Sequence, residues 1–374
     1  MFTPRKIFSS PEAERYALTH VIYDALKAAP VLPEAEIANL APSELGSVLR
    51  LAVRKGEHVK TFDGGCGCGE EWYVAPVTGC PFDCEYCYLQ DYLDSTIPAI
   101  FVNVEDMLAE LREKMRAHAG GLRVHAGHLA DALALDHLAG IAGRLVSLFR
   151  EFPQATLELR TKTANIDRLL KACAAKEKSP KGSDPIYGAQ TSVARPARRI
   201  GSNPELTPVA PPPQNVVVSW TMSPKIAVSR YEHGASLLSA RIEAAAKCVN
   251  AGFRVGMRLD PIIMFEGWRA AYAEMIARIC GAVDVARIES WVLGCLRYRP
   301  EMAEIVRRER PQSDILDGEL VRSPDGKYRY FRPLRLAAYR EIAQMIRGLA
   351  PDARIDLCME TDEVRKDFFA TIDA

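Results

Sequence analysis

The sequence predicts an α/β protein built on a partial parallel barrel of the (βα)6 type. Three observations carry this. Short apolar strands alternate with helical stretches of 10–17 residues between residues 71 and 358, the rhythm of βα units around a parallel sheet. The units number about six, as a full or partial barrel requires. A cysteine-rich run follows directly on the first strand, and a barrel keeps its chemistry in the loops after its strands.

Residues 1–60 are expected to form a helical lead-in. Residues 11–28 are amphipathic through Ala17, Leu18, Val21, Ile22 and Leu26, with Ser9 or Ser10 as cap. Residues 43–53 suggest a second short helix. The first strand is placed at 71–77 (EWYVAPV). Helix 104–118, strand 122–125, helix 136–152 and strand 155–161 follow, the last alternating as ATLELRT. Helix 165–174 and the apolar strand 216–220 come next. Helix 235–250 is stopped by Gly252, a good C-terminal signal. Strand 253–259, helix 268–280, strand 288–293, helix 338–349 and a last strand at 354–358 complete the series. Residues 171–214 break the rhythm with 8 of the 24 prolines and 7 basic against 3 acidic residues, and read as a surface insertion. The expected domains are a lead-in (1–60), the barrel (61–295) and a C-terminal hairpin and helix extension (296–374).

Composition narrows the class. Charged residues make up 26% and apolar ones 48% of 374 residues, ordinary for a soluble globular enzyme. Lys plus Arg equals Asp plus Glu at 48 each. A zero net charge argues against a histone-like or tail-driven nucleic-acid binder, though not against a local basic groove. No run of 18 apolar residues occurs, so no membrane helix is expected. Residues 1–10 lack the apolar region of a secretory signal, and the cytoplasm is the expected compartment. Five of the ten cysteines, Cys66, Cys68, Cys80, Cys84 and Cys87, fall within 22 residues. Such clustering favours a metal or redox site over disulfides.

Cys80-Pro-Phe-Asp-Cys84-Glu-Tyr-Cys87 is a C-x3-C-x2-C triplet. Three thiolates on one loop can hold three irons of a 4Fe–4S cluster. The fourth iron is then open to a small molecule carrying an amino and a carboxylate group. A structural zinc site or a ferredoxin-type cluster would need a fourth protein ligand.

The triplet, with the aromatic Tyr86 before its last cysteine, resembles the signature of radical S-adenosylmethionine enzymes. The run Cys84-Glu-Tyr86-Cys87-Tyr88-Leu89-Gln90 narrows the likeness to the spore photoproduct lyase family. MFTPRKIF at the start, FVNVEDML (101–108), Asp136-His137-Leu138, RTKTANIDRLL (160–170), VVVSWTMSP (216–224), AGFRVGMRLDPI (251–262) and Glu266-Gly267-Trp268 agree with it. The resemblance implies a radical S-adenosylmethionine barrel, a 4Fe–4S cluster on Cys80, Cys84 and Cys87, and S-adenosylmethionine as second cofactor. It also implies an electron donor such as flavodoxin or ferredoxin. One electron would cleave the sulfonium to a 5′-deoxyadenosyl radical, which takes hydrogen from a thymine-dimer lesion of DNA. A cysteine then returns a hydrogen. By resemblance, Tyr86 and Tyr88 lie near the cofactor and the hydrogen-return path, while Lys162 and Ser219 contact S-adenosylmethionine. His125 and His128 follow a strand at the barrel top and Asp260 ends one, so all three are expected to line the cofactor site.

The chain departs from the family at one point. The family's donor cysteine lies about forty residues after the cluster motif, yet no cysteine occurs here between residues 88 and 172. An imidazole N–H is much harder to break homolytically than a thiol S–H, so His128 is no simple substitute. Cys295 and Cys358 both end predicted strands, and Cys295 is taken as the catalytic thiol, with Cys358 second. Cys66 and Cys68 form a further candidate redox or metal pair. Cys173, Cys248 and Cys280 lie on helices and read as core.

Residues 321–340 hold six Arg or Lys and one acid, Asp325, interleaved with Tyr328, Tyr330, Phe331 and Tyr339. Asp325-Gly326 is a hairpin-turn signal. A basic aromatic hairpin suits phosphate contact and a wedge beside an extruded base, so Lys327, Tyr328, Arg329 and Tyr330 are expected to contact DNA, and Arg297, Tyr298 and Arg299 to extend the patch. Two other readings remain at this stage. One keeps the radical chemistry but changes the substrate to another nucleotide, a peptide or a small molecule. The other is a non-enzymatic iron–sulfur or zinc protein that binds nucleic acid.

Overall fold

The computed structural model describes residues 1–62, 70–173 and 212–372. Cys66, Cys68 and most of the proline-rich stretch lie outside the described residues.

Seven parallel strands build the barrel wall: β1 Glu70–Val74, β2 Leu122–Ala126, β3 Ala155–Thr161, β4 Val216–Thr221, β5 Arg254–Ile262, β6 Ile288–Cys295 and β7 Ile355–Leu357. They pair in sequence order from β1 to β7. Val59–Thr61 adds antiparallel to the outer edge of β1. Among the described residues no ladder joins β7 back to that edge, so the barrel is open. Neighbouring parallel strands need long crossovers, and helices supply them: Val104–Ala117, Ile141–Arg150, Asp167–Cys173, Leu238–Asn250, Trp268–Ala282 and Arg332–Leu349. The helices cover the outside of the sheet, which explains why β4 reads Val-Val-Val-Ser-Trp with every one of these residues buried.

Two boundaries differ from expectation. The lead-in is only partly helical: Ala17–Ala25 forms the helix expected within 11–28, but strands surround it. Lys6–Ser9, Val31–Pro33 and Val48–Ala52 form a parallel sheet, extended by Ala99–Phe101 and, antiparallel, by Val77–Thr78. Within 43–53 only residues up to Ser47 coil, as a 3-10 turn, and Val48 onward is strand. The sheet buries Ile7, Leu49, Leu51 and Ile100 in the same core as the barrel. Nor does the barrel end at residue 295. β7 pairs with β6 through Trp291↔Ile355 and Leu293↔Leu357, and the helix Arg332–Leu349 is the crossover between them. The segment around the hairpin, Arg297–Tyr298 with Leu320–Arg322 and Tyr328–Tyr330, stands outside the barrel as a small antiparallel sheet.

Candidate active site

The three cysteines of the triplet sit in the loop after β1, at the C-terminal mouth of the barrel, and line a cavity of about 540 Å³. That is the size of a small-molecule site. Gly79 opens the loop with φ of +69°, and a Cβ there would lie 2.4 Å from the Ile97 carbonyl oxygen, so the approach admits only glycine. The loop is tied down from outside. Asp83 and Cys84 form an antiparallel bridge with His233 and Glu232. The Glu85 amide donates to the Tyr231 carbonyl at 2.9 Å, the Gln90 amide group donates to the Cys84 carbonyl at 2.7 Å, and Arg310 pairs with Asp83.

Beneath the loop lies a buried ionic knot. The Lys162 ammonium is 3.6 Å from Cys84 Sγ, 4.6 Å from the Tyr86 ring centre and 4.0 Å from Glu232. Tyr86 donates its hydroxyl proton to Glu232, Ser223 donates to the same carboxylate at 2.7 Å, and Arg241 pairs with it. Burial opposes the Glu232 charge, but Lys162 and Arg241 hold its pKa down at about 2. Burial pushes the Cys84 thiol up to about 12, against the pull of Lys162; the same burial raises Cys80 and Cys87. A ligand for these sulfurs must therefore supply the positive charge that makes them thiolates. Among the described residues no three His, Cys, Asp or Glu side chains converge on a single ion. A 4Fe–4S cubane has a separate corner for each thiolate, so three spread sulfurs on one loop fit it.

The other predicted residues divide. Tyr88, His128, Lys162 and Asp260 line the cavity. Tyr88 donates to the His128 carbonyl, and His128 packs on Tyr73 and Phe62 with ring centres 4.6 and 4.8 Å away. Burial, with Arg160 near, lowers the His128 pKa to about 4, so its imidazole is neutral at physiological pH. Asp260 binds Arg297 through both oxygens at 2.7 and 3.3 Å; although burial opposes its charge, Arg297 and Arg258 hold its carboxyl far below the usual range. A register shift between Leu259 and Ile262 turns the end of β5 at this point.

Five assignments are corrected, three in the barrel and two in the hairpin. His125 is 1% exposed and does not reach the cavity. It bridges Glu71 at 2.8 Å and Glu158 at 3.0 Å inside the sheet. Ser219 is buried two residues below the mouth, where it packs so closely on β5 that a Cβ at Gly256 would meet its Oγ at 2.4 Å. Cys295 is buried behind the wall, with its amide donating to Tyr339 at 2.9 Å, and burial raises its thiol to about 12. Cys358, not Cys295, lines the cavity, with Arg258 and Arg297 at 3.4 and 3.6 Å from its sulfur. The hairpin exists, turning at Gly326 with φ of +82°, but two of its four predicted DNA contacts face inward. Arg329 is buried and holds both oxygens of Asp325 at 2.6 and 2.8 Å. Tyr330 is buried, and its hydroxyl accepts from the Met264 amide at 3.0 Å. Tyr328 stacks on Tyr298, ring centres 5.6 Å apart, and Lys327 lines the cavity. The sequence alone did not point to Glu232, Asp131, Arg160 or Arg258. Asp131 caps the turn after β2 by accepting from the amides of Leu133, Ala134 and Lys162 at 2.6–2.9 Å.

An open parallel barrel whose mouth carries a three-thiol loop above a cavity is the architecture of a radical S-adenosylmethionine enzyme. The spore photoproduct lyase family model matches residues 45–180 and 215–355, and the chain belongs to that family. Spore photoproduct lyase of Bacillus subtilis (strain 168) is 24% identical over 379 residues, covering 95% of this chain and 98% of its own. That of Geobacillus sp. (strain Y412MC61) is 23% identical over 348 residues, covering 87% and 89%. The fold is that of spore photoproduct lyase complexed with dinucleoside spore photoproduct, at a TM-score of 0.74 and 19% identity over 95% of this chain and 98% of the other. A spore photoproduct lyase mutant with bound AdoMet and the same dinucleoside also matches at 0.74, with 18% identity. No helix among the described residues is long and apolar enough to cross a membrane.

Proposed function

We propose that the chain is a radical S-adenosylmethionine lyase that repairs a thymine-dimer photolesion of DNA, the spore photoproduct or a close relative, in the cytoplasm with a flavodoxin or ferredoxin as electron donor. Cys80, Cys84 and Cys87 hold the 4Fe–4S cluster. When bound, cluster and S-adenosylmethionine supply a 5′-deoxyadenosyl radical that abstracts hydrogen from the lesion. The chain's own residues do the rest. Lys162 neutralises the sulfur of Cys84 and, with Glu232 and Tyr86, fixes the floor of the site. Tyr88, Tyr92 and neutral His128 present aromatic surface to a base. The carrying observation is the shared cavity: the three thiols, Lys162, Tyr88 and Lys327 of the hairpin all line one space. Anaerobic turnover of a defined dinucleoside photoproduct, with deuterium placed on the lesion carbon, tests the reading. Thymidine product with deuterium in the adenosyl fragment is expected; cleavage of S-adenosylmethionine without lesion conversion would overturn it.

The hydrogen-returning thiol is assigned to Cys358, since among the described cysteines outside the triplet it alone reaches the cavity. Cys358→Ala should lower repaired product relative to S-adenosylmethionine consumed by about tenfold or more, a gap of about 1.4 kcal/mol in barrier. Cys295→Ala should leave that ratio unchanged. The reverse pattern would return the role to Cys295.

A further inference from the structure

The cavity wall that faces the hairpin is more cationic than its contents explain. Basic side chains lining the cavity outnumber acidic ones six to three. Most of the basic groups have a close counter-charge. Arg297 holds both oxygens of Asp260, Arg160 lies 3.1 Å from Glu158, and Lys162 belongs to the Glu232 knot.

Lys327 is different. Its side chain is only 28% exposed, and its ion pair, with Asp325, is 3.9 Å long. Both Asp325 oxygens are already bound by Arg329 at 2.6 and 2.8 Å. Burial and the charges of Arg297, Arg329 and Arg299 all disfavour the Lys327 ammonium. Beside it, Arg299 reaches from the start of the helix Pro300–Glu309 and lines the same wall. Its guanidinium stands 3.4 Å from Asp91 and 3.3 Å from Glu301 and remains 48% exposed. Asp91 itself is 4% exposed, and its Oδ2 makes no hydrogen bond among the described residues. Asp91 thus anchors Arg299 from beneath as a positioning residue. Two cations, one half-buried and short of counter-charge, one held at its base and open at its tip, lie on one wall of a nucleotide-sized cavity. Their geometry calls for an anion inside the cavity.

We infer that Lys327 and Arg299 form an internal phosphate subsite that takes the phosphodiester joining the two nucleosides of the lesion. The hairpin therefore reads the substrate from within the cavity and does not only touch flanking backbone. This inference rests on the proposed function for its choice of ligand. A phosphate monoanion gives charge-assisted hydrogen bonds to both groups.

The test compares three photoproduct substrates: the phosphate-free dinucleoside, the dinucleotide with its single internal phosphodiester, and the dinucleotide with an uncharged methylphosphonate link. The wild-type KM should be lower for the charged dinucleotide than for either neutral analogue by about tenfold or more, as expected for charge-assisted contacts. Lys327→Gln and Arg299→Gln should bring that ratio towards one, and Lys327→Arg should restore it. Visible cluster absorbance in each variant verifies folding. Equal KM values in the wild type, or a ratio that survives both Gln variants, would overturn the inference. So would a preference that appears only when flanking phosphates are added in a tetranucleotide. If none of the lesions is converted, the proposed function fails, and binding of unmodified thymidine dinucleotide and its methylphosphonate decides the subsite. Tighter charged binding that Lys327→Gln removes supports it; equal binding refutes it.

Discussion

Glu232 shows how much of the site depends on a single buried charge. It lies opposite Cys84 in a two-residue bridge and gathers Lys162, Arg241, Tyr86 and Ser223 on one carboxylate. Removing one partner of a buried pair leaves the others uncompensated, at a cost of about 3–5 kcal/mol. Glu232→Gln should lower unfolding stability by that order, measured in denaturant at neutral pH. The sign with pH follows from its lowered pKa: the Glu232 contribution is complete above about pH 4.5 and is lost as pH falls towards 2. The wild type should lose stability across that window more steeply than the variant. His128 behaves in the opposite sense, as a base kept neutral by burial. Its imidazole resonances should titrate near pH 4, and a midpoint near 6.5 would contradict the packing on Tyr73 and Phe62. Ser223 and Arg241 are each nine residues from Glu232, but the partnerships that tie it to the cysteine loop are not local in sequence. Glu232 stands 146 residues from Tyr86, and nothing in YEHGASLL marks it as an anchor. The triplet was legible because all three cysteines sit on one short loop.

At the level of elements, the hairpin separates what sequence pattern carries from what it does not. Asp325-Gly326 marked the turn correctly, because Gly326 needs its positive φ. The facing of the strand after it was not legible. Tyr328–Tyr330 spans three residues, too few to establish a period of two, and a buried arginine paired to its own turn looks like a surface one in the sequence. Consequently Lys327 and Arg329 should behave differently on DNA. Lys327→Gln should reduce the slope of log affinity against log salt by about one unit. Arg329→Gln should act through the turn, raising amide exchange at Tyr328 and Tyr330. Equal salt slopes for both variants would mean that Arg329 leaves Asp325 for the phosphate. The same limit explains Cys295 and Cys358. Both end strands, but which one faces the mouth is set by strand tilt and by the register shift in β5, neither of which is written in residue order.

Across the whole molecule, the alternation of apolar strands and helices was legible because the helices and most of the strands are long enough to show their periods. The lead-in sheet was not, since Lys6–Ser9 and Val31–Pro33 are four and three residues long and draw their partners from elsewhere in the chain. The end of the barrel was misplaced for a related reason: β7 is a three-residue strand separated from β6 by the hairpin and an 18-residue helix. A chain ending at residue 295 would leave Trp291 and Leu293 of β6 without their neighbour and remove Tyr339 from beneath Cys295. Such a chain should lack a cooperative thermal transition by circular dichroism; a sharp transition would show that β7 is dispensable.

The bridge between Asp83–Cys84 and Glu232–His233 has a temporal meaning as well as a spatial one. Small zinc modules acquire their shape from the ion they capture. Here the thiol-bearing loop is fastened by segments made about 150 residues later, so its form is complete only once β4 and the helix after it have docked. A cluster held by Cys80, Cys84 and Cys87 would therefore enter a loop whose shape the rest of the chain sets.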